Sequence, residues 1–400
     1  MALTPQQVLD TLLSSVTVLP AQPTPLRESV GRILRQVVMP ERDNPPFDRV
    51  CMDGVAIASA SFAAGTRRYE LQGTQAAGSV PQALTGNERA IEVMTGAVLP
   101  PGTDCVIPLE EYSLSGGTLA LNADASAEPW RNVQRRGSDS QPGVAMLTAG
   151  ARLGAAEVAV VASAGLATVA TSRPPRICVV STGDELIEPG QAIADHQVRR
   201  SNAYAVSAAL RAHGFGAVED DHLRDEEMLM RARLGAHLSS HDVIVLSGGV
   251  SKGKFDFVPA ALTFLGVEEV FHQVAQRPGR PMWFGRGPQG QLVFGLPGNP
   301  VSTLICLVRY VLPALYAAMG ARPAAVERIA MAREMRKGRP MVYFMPVALE
   351  SREGAPSVAS PRPPSGSGDF LALAGTDGFV ELPARPDGYP DGFVADFYRW

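Results

Sequence analysis

The chain has 400 residues, of which 46% are hydrophobic and 19% are charged. This composition is that of a folded protein and excludes an intrinsically disordered chain, while the length exceeds one hydrophobic core and favours several domains. A formal net charge of −4 excludes the general basic surface of a nucleic-acid-binding protein. We therefore expect no nucleic acid partner, and an anionic ligand would need local clusters of Arg and backbone N–H groups.

The first residues carry the signals of a helix start. Residues 4–7 supply a capping Thr, a Pro at the first helical position and a capping-box Gln. No basic segment followed by an apolar run precedes them, so we expect no signal peptide. The longest apolar segment, 304–319, is interrupted by Arg309 and Pro313 and is predicted to be a buried helix. We therefore expect a cytoplasmic protein with no membrane partner.

Residues 49–136 alternate short strand-like runs with turns rich in Gly, Pro and Ser, which predicts a small β-rich domain. Asp53 lies there in a stiff loop with two prolines and a glycine, so its carboxylate can be held in place. A plain Asp-Gly turn is the alternative. Residues 144–172 predict a helix and then a strand. We assign 1–48 together with 137–172 to an elongated N-terminal linking domain.

Residues 173–321 alternate strands with helices. Strands are predicted at residues 176–181, 242–246 and 291–294. Helices are predicted at residues 203–213, 225–239 and from 300 onward. Ser201 and Asn202 are interpreted as the cap of the first helix, Gly214 as its end, and Asn299 as the cap of the third. Such alternation favours a parallel α/β sheet, so the Gly-rich loops after the three strands should share one crevice.

These loops carry polar groups. Asp184 and Glu185 follow the first strand, where carboxylates can bind Mg²⁺ or move protons, although Asp184 could equally cap a helix. Residues 247–256 combine three glycines, two hydroxyls, two lysines and a carboxylate, which favours an anion cradle over a surface turn with solvated lysines. Arg277 and Arg280 flank a Pro-Gly turn and could bind a tetrahedral oxyanion or be solvated surface side chains.

After residue 321 the chain returns to short strands, at 342–349 and 379–382, between loops of Pro, Gly and Ser. This predicts a separate C-terminal β domain over 322–400.

The cysteines and histidines suggest no metal chemistry. The four cysteines form no CxxC pattern, and we interpret the six histidines as lacking metal-ligand spacing and a Ser/His/Asp set. We therefore expect buried, reduced thiols and no zinc site. Cys51 is the exception that could lie near the site, because it is two residues before the candidate Asp53.

Seven short motifs occur in the order found in MoeA-type molybdenumtransferases. They lie at residues 52–54, 94–97, 181–186, 201–202, 247–251, 278–279 and 295–302. Each is a common peptide, but seven in order are specific. On these motifs the chain resembles that family from about residue 4 to its end, more weakly after residue 322.

The resemblance implies an elongated four-domain homodimer of α/β and β domains. A central parallel α/β molybdopterin-binding domain would be joined by β-rich accessory domains and a C-terminal β-barrel-like domain. The implied reaction inserts molybdate into adenylylated molybdopterin, uses Mg²⁺ as cofactor and releases AMP with the molybdenum cofactor. Its crevice would lie between the α/β domain of one subunit and the 50–136 domain of the other. Molybdopterin adenylyltransferase and molybdoenzyme chaperones are implied as further partners.

Matching positions carry the implied site residues. The implied catalytic set, of which Glu185 and Asp256 would also bind the metal, is Asp53, Thr95, Glu185, Asp225 and Asp256. The implied substrate-binding set is Thr182, Gly183, Asp184, Ser247, Gly248, Gly249, Ser251, Arg277, Arg280, Pro297, Gly298, Asn299, Ser302, Arg339 and Ser367. Arg339 aligns with the family's arginine only after a small shift.

Some positions depart from the family pattern. Arg277 and Arg280 stand where the family has lysines, and residues 365–368 lack its usual Gln. The other departures are Gln134, Ser138, Lys252 and Lys254. These changes allow three interpretations: the chain belongs to a subfamily, it uses a different metal oxyanion, or it is a paralogue that acts as a molybdopterin-binding or scaffold protein. The retained acids Asp53, Glu185 and Asp256 favour catalysis over a scaffold role. The other alternative is a molybdopterin adenylyltransferase, which is less favoured because it would need no 50–136 domain.

Overall fold

The protein is described here by a computed structural model covering residues 2–249, 257–336 and 338–400. In the first 172 residues the elements are α1 (Pro5–Ser14), β1 (Ala21–Pro25), a 3-10 turn (Leu26–Glu28), β2 (Arg49–Val50), β3 (Gly54–Ile57), α2 (Ser59–Ala63), β4 (Arg68–Gln75), β5 (Arg89–Val93), β6 (Cys105–Pro108), a 3-10 turn (Leu109–Glu111), β7 (Tyr112–Ser115), β8 (Thr118–Leu121), β9 (Val133–Gln134), α3 (Ala155–Ser163) and β10 (Thr168–Ser172).

The central region follows with β11 (Ile177–Thr182), β12 (Leu186–Ile187), β13 (Val198–Arg199), α4 (Ser201–Ala212), β14 (Val218–Leu223), α5 (Glu227–Ser240), β15 (Val243–Ser247), α6 (Phe257–Phe264), β16 (Glu268–His272), β17 (Gln276–Arg277), β18 (Trp283–Arg286), β19 (Leu292–Leu296), α7 (Pro300–Cys306), a π-helical turn (Leu307–Val311) and α8 (Leu312–Ala318). The C-terminal elements are β20 (Glu327–Ala330), β21 (Val342–Arg352), β22 (Ala355–Pro361), a 3-10 turn (Phe370–Leu373), β23 (Gly378–Leu382) and β24 (Val394–Arg399).

The central region forms a six-stranded sheet in the order β14-β11-β15-β19-β18-β16. The first four strands are mutually parallel, whereas β18 runs antiparallel to both β19 and β16. Helices cover both faces: α1, α4 and the helix after Asn299 pack on one, and α5 and α6 pack on the other. The prediction of a parallel α/β sheet is confirmed, and the antiparallel edge is an addition that the sequence did not predict.

The apolar segment that begins at Pro300 is a core helix. It runs to Ala318 and is long and apolar enough to cross a membrane by length and composition alone, but 78% of it is buried within the protein. Arg309 lies in its π-helical turn, and its Nε is 2.8 Å from Glu381 Oε2. The predicted buried helix is therefore confirmed.

Residues 49–134 build a second six-stranded sheet, in the order β6-β3-β5-β4-β8-β7. Strands β2 and β9 pair antiparallel, so the two ends of this region lie side by side. A separate pairing of β1 with β10 joins residues near the N-terminus to residues 168–172. Further bridges pair residues 33–44 with residues 140–152.

The C-terminal sheet has the order β17-β21-β23-β24-β20, with β22 paired to β21. A bridge from Met331 to Ala359 brings the end of β20 back to β22, which gives the sheet the barrel-like character that the resemblance implied. Strand β17 belongs to the central region in sequence but pairs with β21. This pairing fixes the C-terminal domain against the loops of the central one.

Candidate functional site

The carboxyl ends of β11, β15 and β19 meet at one edge of the central sheet. Ser181 is in register with Ser247, and Ser247 with Leu296. The amide of Gly248 donates to the carbonyl of Leu296 over 3.3 Å. The predicted shared crevice is therefore present, and we call it the strand-end crevice.

Asn202 joins the loops of the strand-end crevice. Its Nδ2 donates to Ser247 Oγ over 2.9 Å and to the carbonyl of Gly298 over 2.8 Å. The prediction that Ser201 and Asn202 cap α4 is wrong, because Arg200 occupies the cap position and no side chain caps the helix. The first turn of α4 faces the strand ends, so the amide bonds across loops instead. Gly214 does end the helix, with a φ of +91°.

Glycines bring the loops close together. A side chain at Gly249, which has a φ of +65°, would come within 2.7 Å of Thr182 Oγ1. At Gly248 it would come within 3.0 Å of the Thr182 carbonyl oxygen. Thr182 Oγ1, Ser181 Oγ and Asn202 Oδ1 are buried and have no hydrogen-bond partner within the described ranges. Ser181 and Thr182 end β11, and Asn202 lies in the first turn of α4.

Three candidate acids, Asp184, Glu185 and Asp225, follow the neighbouring parallel strands β11 and β14. The amide of Asp225 donates to Asp184 Oδ1 over 3.4 Å. Glu185 folds over Gly183, where an added side chain would come within 2.4 Å of Glu185 Oε2. The alternative that Asp184 caps a helix is wrong, because the short strand β12 follows it. Ser251 and Asp256 lie outside the described residues.

A cavity of about 420 Å³ adjoins the crevice and gathers most of the remaining candidates. We call it the arginine pocket. Its lining includes the candidates Arg277, Arg280, Pro297, Asn299, Ser302 and Ser367. Within the part of the chain that the structure describes, neither guanidinium has a hydrogen-bond or ion-pair partner. Asn299 occupies the predicted cap position, but its side chain makes no capping bond and faces the pocket instead.

Sequence reasoning missed two features of the arginine pocket. Tyr343 on β21 and Pro364 also line it, and no sequence signal linked them to the arginines. Arg339, the weaker candidate, does not line the pocket but stacks on the Tyr343 ring at 4.3 Å. Its Nε is buried without a hydrogen-bond partner among residues 2–249, 257–336 and 338–400.

Asp53 and Thr95 lie together in the β-rich sheet. Thr95 donates to Asp53 Oδ1 through its backbone amide and its hydroxyl, each over 2.7 Å. The amide bond and then the hydroxyl bond lower the pKa of Asp53, which keeps this exposed carboxylate ionised at neutral pH. Cys51 nearby is also exposed, whereas Cys105, Cys178 and Cys306 are buried as predicted.

The interpretation that no histidines have metal-ligand spacing is wrong. His237 and His241 stand four residues apart at the end of α5, and both lie close to Cys178 on β11. The spacing was visible in the sequence, but its meaning depends on a cysteine about sixty residues earlier.

Comparisons with known proteins cover nearly the entire chain. Residues 3–165 match the MoeA N-terminal region (domain I and II), residues 178–317 a probable molybdopterin binding domain, and residues 328–400 the MoeA C-terminal region (domain IV). A molybdopterin molybdenumtransferase of Synechocystis sp. is 39% identical over 376 residues, which are 93% of this chain and 93% of that protein. The chain belongs to the MoeA family.

Other relatives agree with this membership. A molybdopterin molybdenumtransferase of Bacillus subtilis is 28% identical over 375 residues, covering 92% of this chain and 87% of that protein. A solved structure of the molybdopterin biosynthesis MoeA protein from Pyrococcus horikosii has a TM-score of 0.79 at 27% identity, and covers 100% of this chain and 99% of its own.

Each matched MoeA region contains candidate site residues. The strand-end crevice lies in the central match, and Asp53 with Thr95 lies in the N-terminal one. The arginine pocket is lined by residues of both the central and the C-terminal matches.

Proposed function

We propose that the protein is a molybdopterin molybdenumtransferase, which inserts molybdate into adenylylated molybdopterin and releases AMP with the molybdenum cofactor. The observation that carries the proposal is the strand-end crevice, where three buried oxygens have no partner among the described residues. Buried polar atoms are nearly always hydrogen-bonded, so unpaired ones at a strand-end loop indicate a polar ligand. MoeA-family membership supports the identity of that ligand.

The phosphate groups of the substrate would bind against the glycine loops. Gly248 and Gly249 let their loop pack closely against Thr182, Gly298 adjoins Gly248, and Ser247 adds a hydroxyl. The 19-residue helix from Pro300 to Ala318 begins beside them, and the positive end of its dipole favours an anion.

The acidic side of the crevice fits Mg²⁺. Glu185 and Asp184 supply carboxylate oxygens, and Ser181 and Thr182 supply hydroxyl oxygens that have no other partner among the described residues. Hard oxygen donors of this kind are those that Mg²⁺ prefers. Glu185 would hold the ion together with Asp256, which lies outside the described residues. The bound ion would offset the negative charge of the phosphate oxygens.

Molybdate would bind in the arginine pocket. It is a tetrahedral dianion, and the two unpaired guanidiniums of Arg277 and Arg280 offer forked N–H donors. Ser302 and Ser367 line the same cavity and add hydrogen-bonding groups. Arg339 would act from outside the pocket by holding Tyr343 in place.

Asp53 and Thr95 would complete the site from a second copy of the chain. The proposal therefore includes a homodimer in which the β-rich sheet of one subunit covers the strand-end crevice of the other. Asp53 would act as an ionised group beside the substrate, and Asp225 would help to position Asp184. We further propose a cytoplasmic location, with molybdopterin adenylyltransferase and molybdoenzyme chaperones as partners.

A reconstituted reaction tests the proposal. Purified protein, adenylylated molybdopterin, molybdate and Mg²⁺ should yield AMP in step with molybdenum cofactor. Glu185→Gln should remove AMP release while the circular dichroism spectrum stays native, because a neutral amide lacks the negative charge that the carboxylate brings to the metal. Asp195→Asn, an exposed acid in the following loop between β12 and β13, is the matched control and should be fully active. Substrate binding without any AMP release by the wild-type protein would favour a scaffold instead.

A further inference from the structure

A second group of metal-ligand side chains lies away from the strand-end crevice. Cys178 is the second residue of β11, so it lies near the opposite end of that strand. One potential ligand atom from each of Cys178, His237 and His241 lies within 4.8 Å of the other two. Cys178 Sγ is 3.5 Å from His237 Nδ1. In a tetrahedral zinc site a thiolate sulfur and an imidazole nitrogen are also roughly 3.5 Å apart, as zinc bonds of about 2.3 and 2.0–2.1 Å dictate.

The fold fixes these three side chains on one side of the sheet. Cys178 faces the layer formed by α5 and α6, where it packs with Leu234 and Leu238. The four-residue spacing of the two histidines puts both on the same face at the end of α5. Cys178 is fully buried, and the His241 side chain is only 6% exposed. The group is therefore ordered and largely shielded from water.

Carboxylates on β14 orient the histidines. Asp221 Oδ2 lies 2.7 Å from His237 Nε2, and Arg233 Nη2 holds the other oxygen of that carboxylate at 2.7 Å. With its proton on Nε2, His237 turns the lone pair of Nδ1 toward Cys178. Such a carboxylate–histidine pair is the usual support of a histidine metal ligand. Glu219 lies 3.3 Å from His241 Nε2, and its side chain is 76% exposed.

We propose that Cys178, His237 and His241 bind a zinc-type divalent cation at a site separate from the strand-end crevice. Thiolate and imidazole ligands favour zinc, whereas Mg²⁺ prefers oxygen. Water or the exposed Glu219 carboxylate supplies the fourth ligand. Binding replaces the S–H proton of Cys178, which leaves to solvent. The bound ion ties the end of α5 to β11.

The alternative is an S–H···Nδ1 hydrogen bond with no metal. Burial, followed by the charges of Asp221 and Glu219, raises the pKa of the Cys178 thiol to about 12. Without a cation the thiol is therefore protonated at neutral pH, and it donates to His237. Only a direct measurement of metal binding separates the two states.

Cobalt titration of the tag-free, metal-free full chain tests this proposal. Co²⁺ should bind at one ion per chain with a thiolate-to-cobalt absorption band, and Zn²⁺ should displace it. Cys178→Ser should abolish the band. Cys105→Ser should keep it, because Cys105 is equally buried in the β-rich sheet. His237→Ala and His241→Ala should each weaken Co²⁺ binding at least tenfold, and Asp221→Asn about ten- to a hundredfold.

Two results would overturn the site. One is the absence of a thiolate band in the wild-type protein, and the other is a band that survives in Cys178→Ser. If Cys178→Ser fails to fold, His241→Ala decides instead, since His241 is not among the apolar residues of the hydrophobic cluster that contains Cys178. Unchanged Co²⁺ affinity in that variant would show that the cluster is a hydrogen-bonded structural group. The result is independent of AMP release, so it leaves the proposed transferase activity unaffected.

Discussion

Arg277 and Arg280 reach the arginine pocket from the two ends of one tight turn. Gly279 in that turn has a φ of +93°, and a side chain there would come within 2.7 Å of Cys306 Sγ and Gln276 Nε2. Only glycine allows the turn to close in this way. Closure keeps both guanidiniums at one cavity, where their charges have no acidic partner among the described residues.

Arg280→Ala should weaken molybdate use about ten- to a hundredfold. Charge-assisted hydrogen bonds contribute about 1.5–3 kcal/mol each, at roughly 1.4 kcal/mol per tenfold change. Arg280→Lys should recover part of the loss, since the charge returns without the forked donors. The measurement is the molybdate concentration that gives half-maximal cofactor synthesis, with the exposed Arg328→Ala as control. If molybdate use is unchanged while pterin binding collapses, the arginines bind the pterin phosphate instead.

For single residues, the sequence predicted which polar side chains lie at the strand ends, but not all of their hydrogen-bond partners. Asn202 and Asp184 both stand where a helix cap is chemically reasonable. In the structure, however, Asn202 bonds to two other loops, and Asp184 precedes a short strand. Capping is a local property that residue type can indicate. A bond to Gly298, almost a hundred residues away, depends on how the chain folds back.

Gly249 lies in the glycine loop that follows β15, and its replacement tests whether this loop binds the substrate. Gly249→Ala should weaken binding of adenylylated molybdopterin about tenfold, because the new methyl group would displace Thr182 Oγ1 from a distance of 2.7 Å. Gly190→Ala is the control, since Gly190 also has a positive φ, +89°, but open space around it. Calorimetric titration measures both affinities. Equal losses in the two variants would mean that backbone strain, rather than the crevice, is responsible.

Asp242 connects the starts of β11 and β15. It accepts from both Arg173 Nη atoms, over 2.8 and 2.9 Å, and from the Arg176 amide over 2.8 Å. Burial alone would raise the pKa of this carboxyl, but the bonds from the two arginines outweigh it and lower the pKa well below its ordinary value. The ionised carboxylate therefore stabilises the folded sheet.

Asp242→Asn should lower the free energy of unfolding at pH 7 by about 2–3 kcal/mol. Because the pKa of Asp242 is lower in the folded than in the unfolded protein, its ionised carboxylate stabilises the folded state at pH values above the unfolded-state pKa of about 3.9. This stabilisation is lost as the pH falls below that pKa. The difference between the two proteins should therefore shrink below about pH 4. Urea denaturation at pH 7 and pH 3 measures it, with Asp195→Asn as control. A difference that does not change with pH would exclude the charge as its cause.

The elements themselves were largely predictable from periodicity. The three strands that end in glycine loops lie within two residues of their predicted bounds, because continuous apolar runs between turns indicate buried strands. The direction of β18 was not predictable, since a four-residue strand carries no signal of its orientation in the sheet. The meaning of His237 and His241 was hidden for a similar reason, as Cys178 comes from a different element.

At the scale of the molecule, the candidate groups divide between distant parts of the chain. The arginine pocket joins the central region to residues 364–367, which no periodicity links to it. Asp53 and Thr95 lie in the β-rich sheet, and their hydrogen bonds run to each other. The family motifs placed all of these residues in one site, whereas the residue patterns alone predicted only the strand-end crevice.

A complementation experiment tests whether the site is shared between subunits. Asp53→Asn and Glu185→Gln should each be inactive alone. In a randomly mixed population of dimers, half are heterodimers, and each of these carries one site with both changes and one site with neither. About a quarter of wild-type AMP release should then return if Asp53 serves the partner's crevice, by the symmetry of a two-fold dimer. If Asp53 instead serves the crevice of its own subunit, every site in the mixture keeps one defect and no AMP release returns. Mixing Glu185→Gln with a second crevice variant, Gly249→Ala, is the control: both changes then lie on the same side of the interface, so AMP release should equal the average of the two variants measured alone. Sedimentation of each mixture checks that dimers form. Restoration in the first mixture alone would support a site built by two copies of the chain.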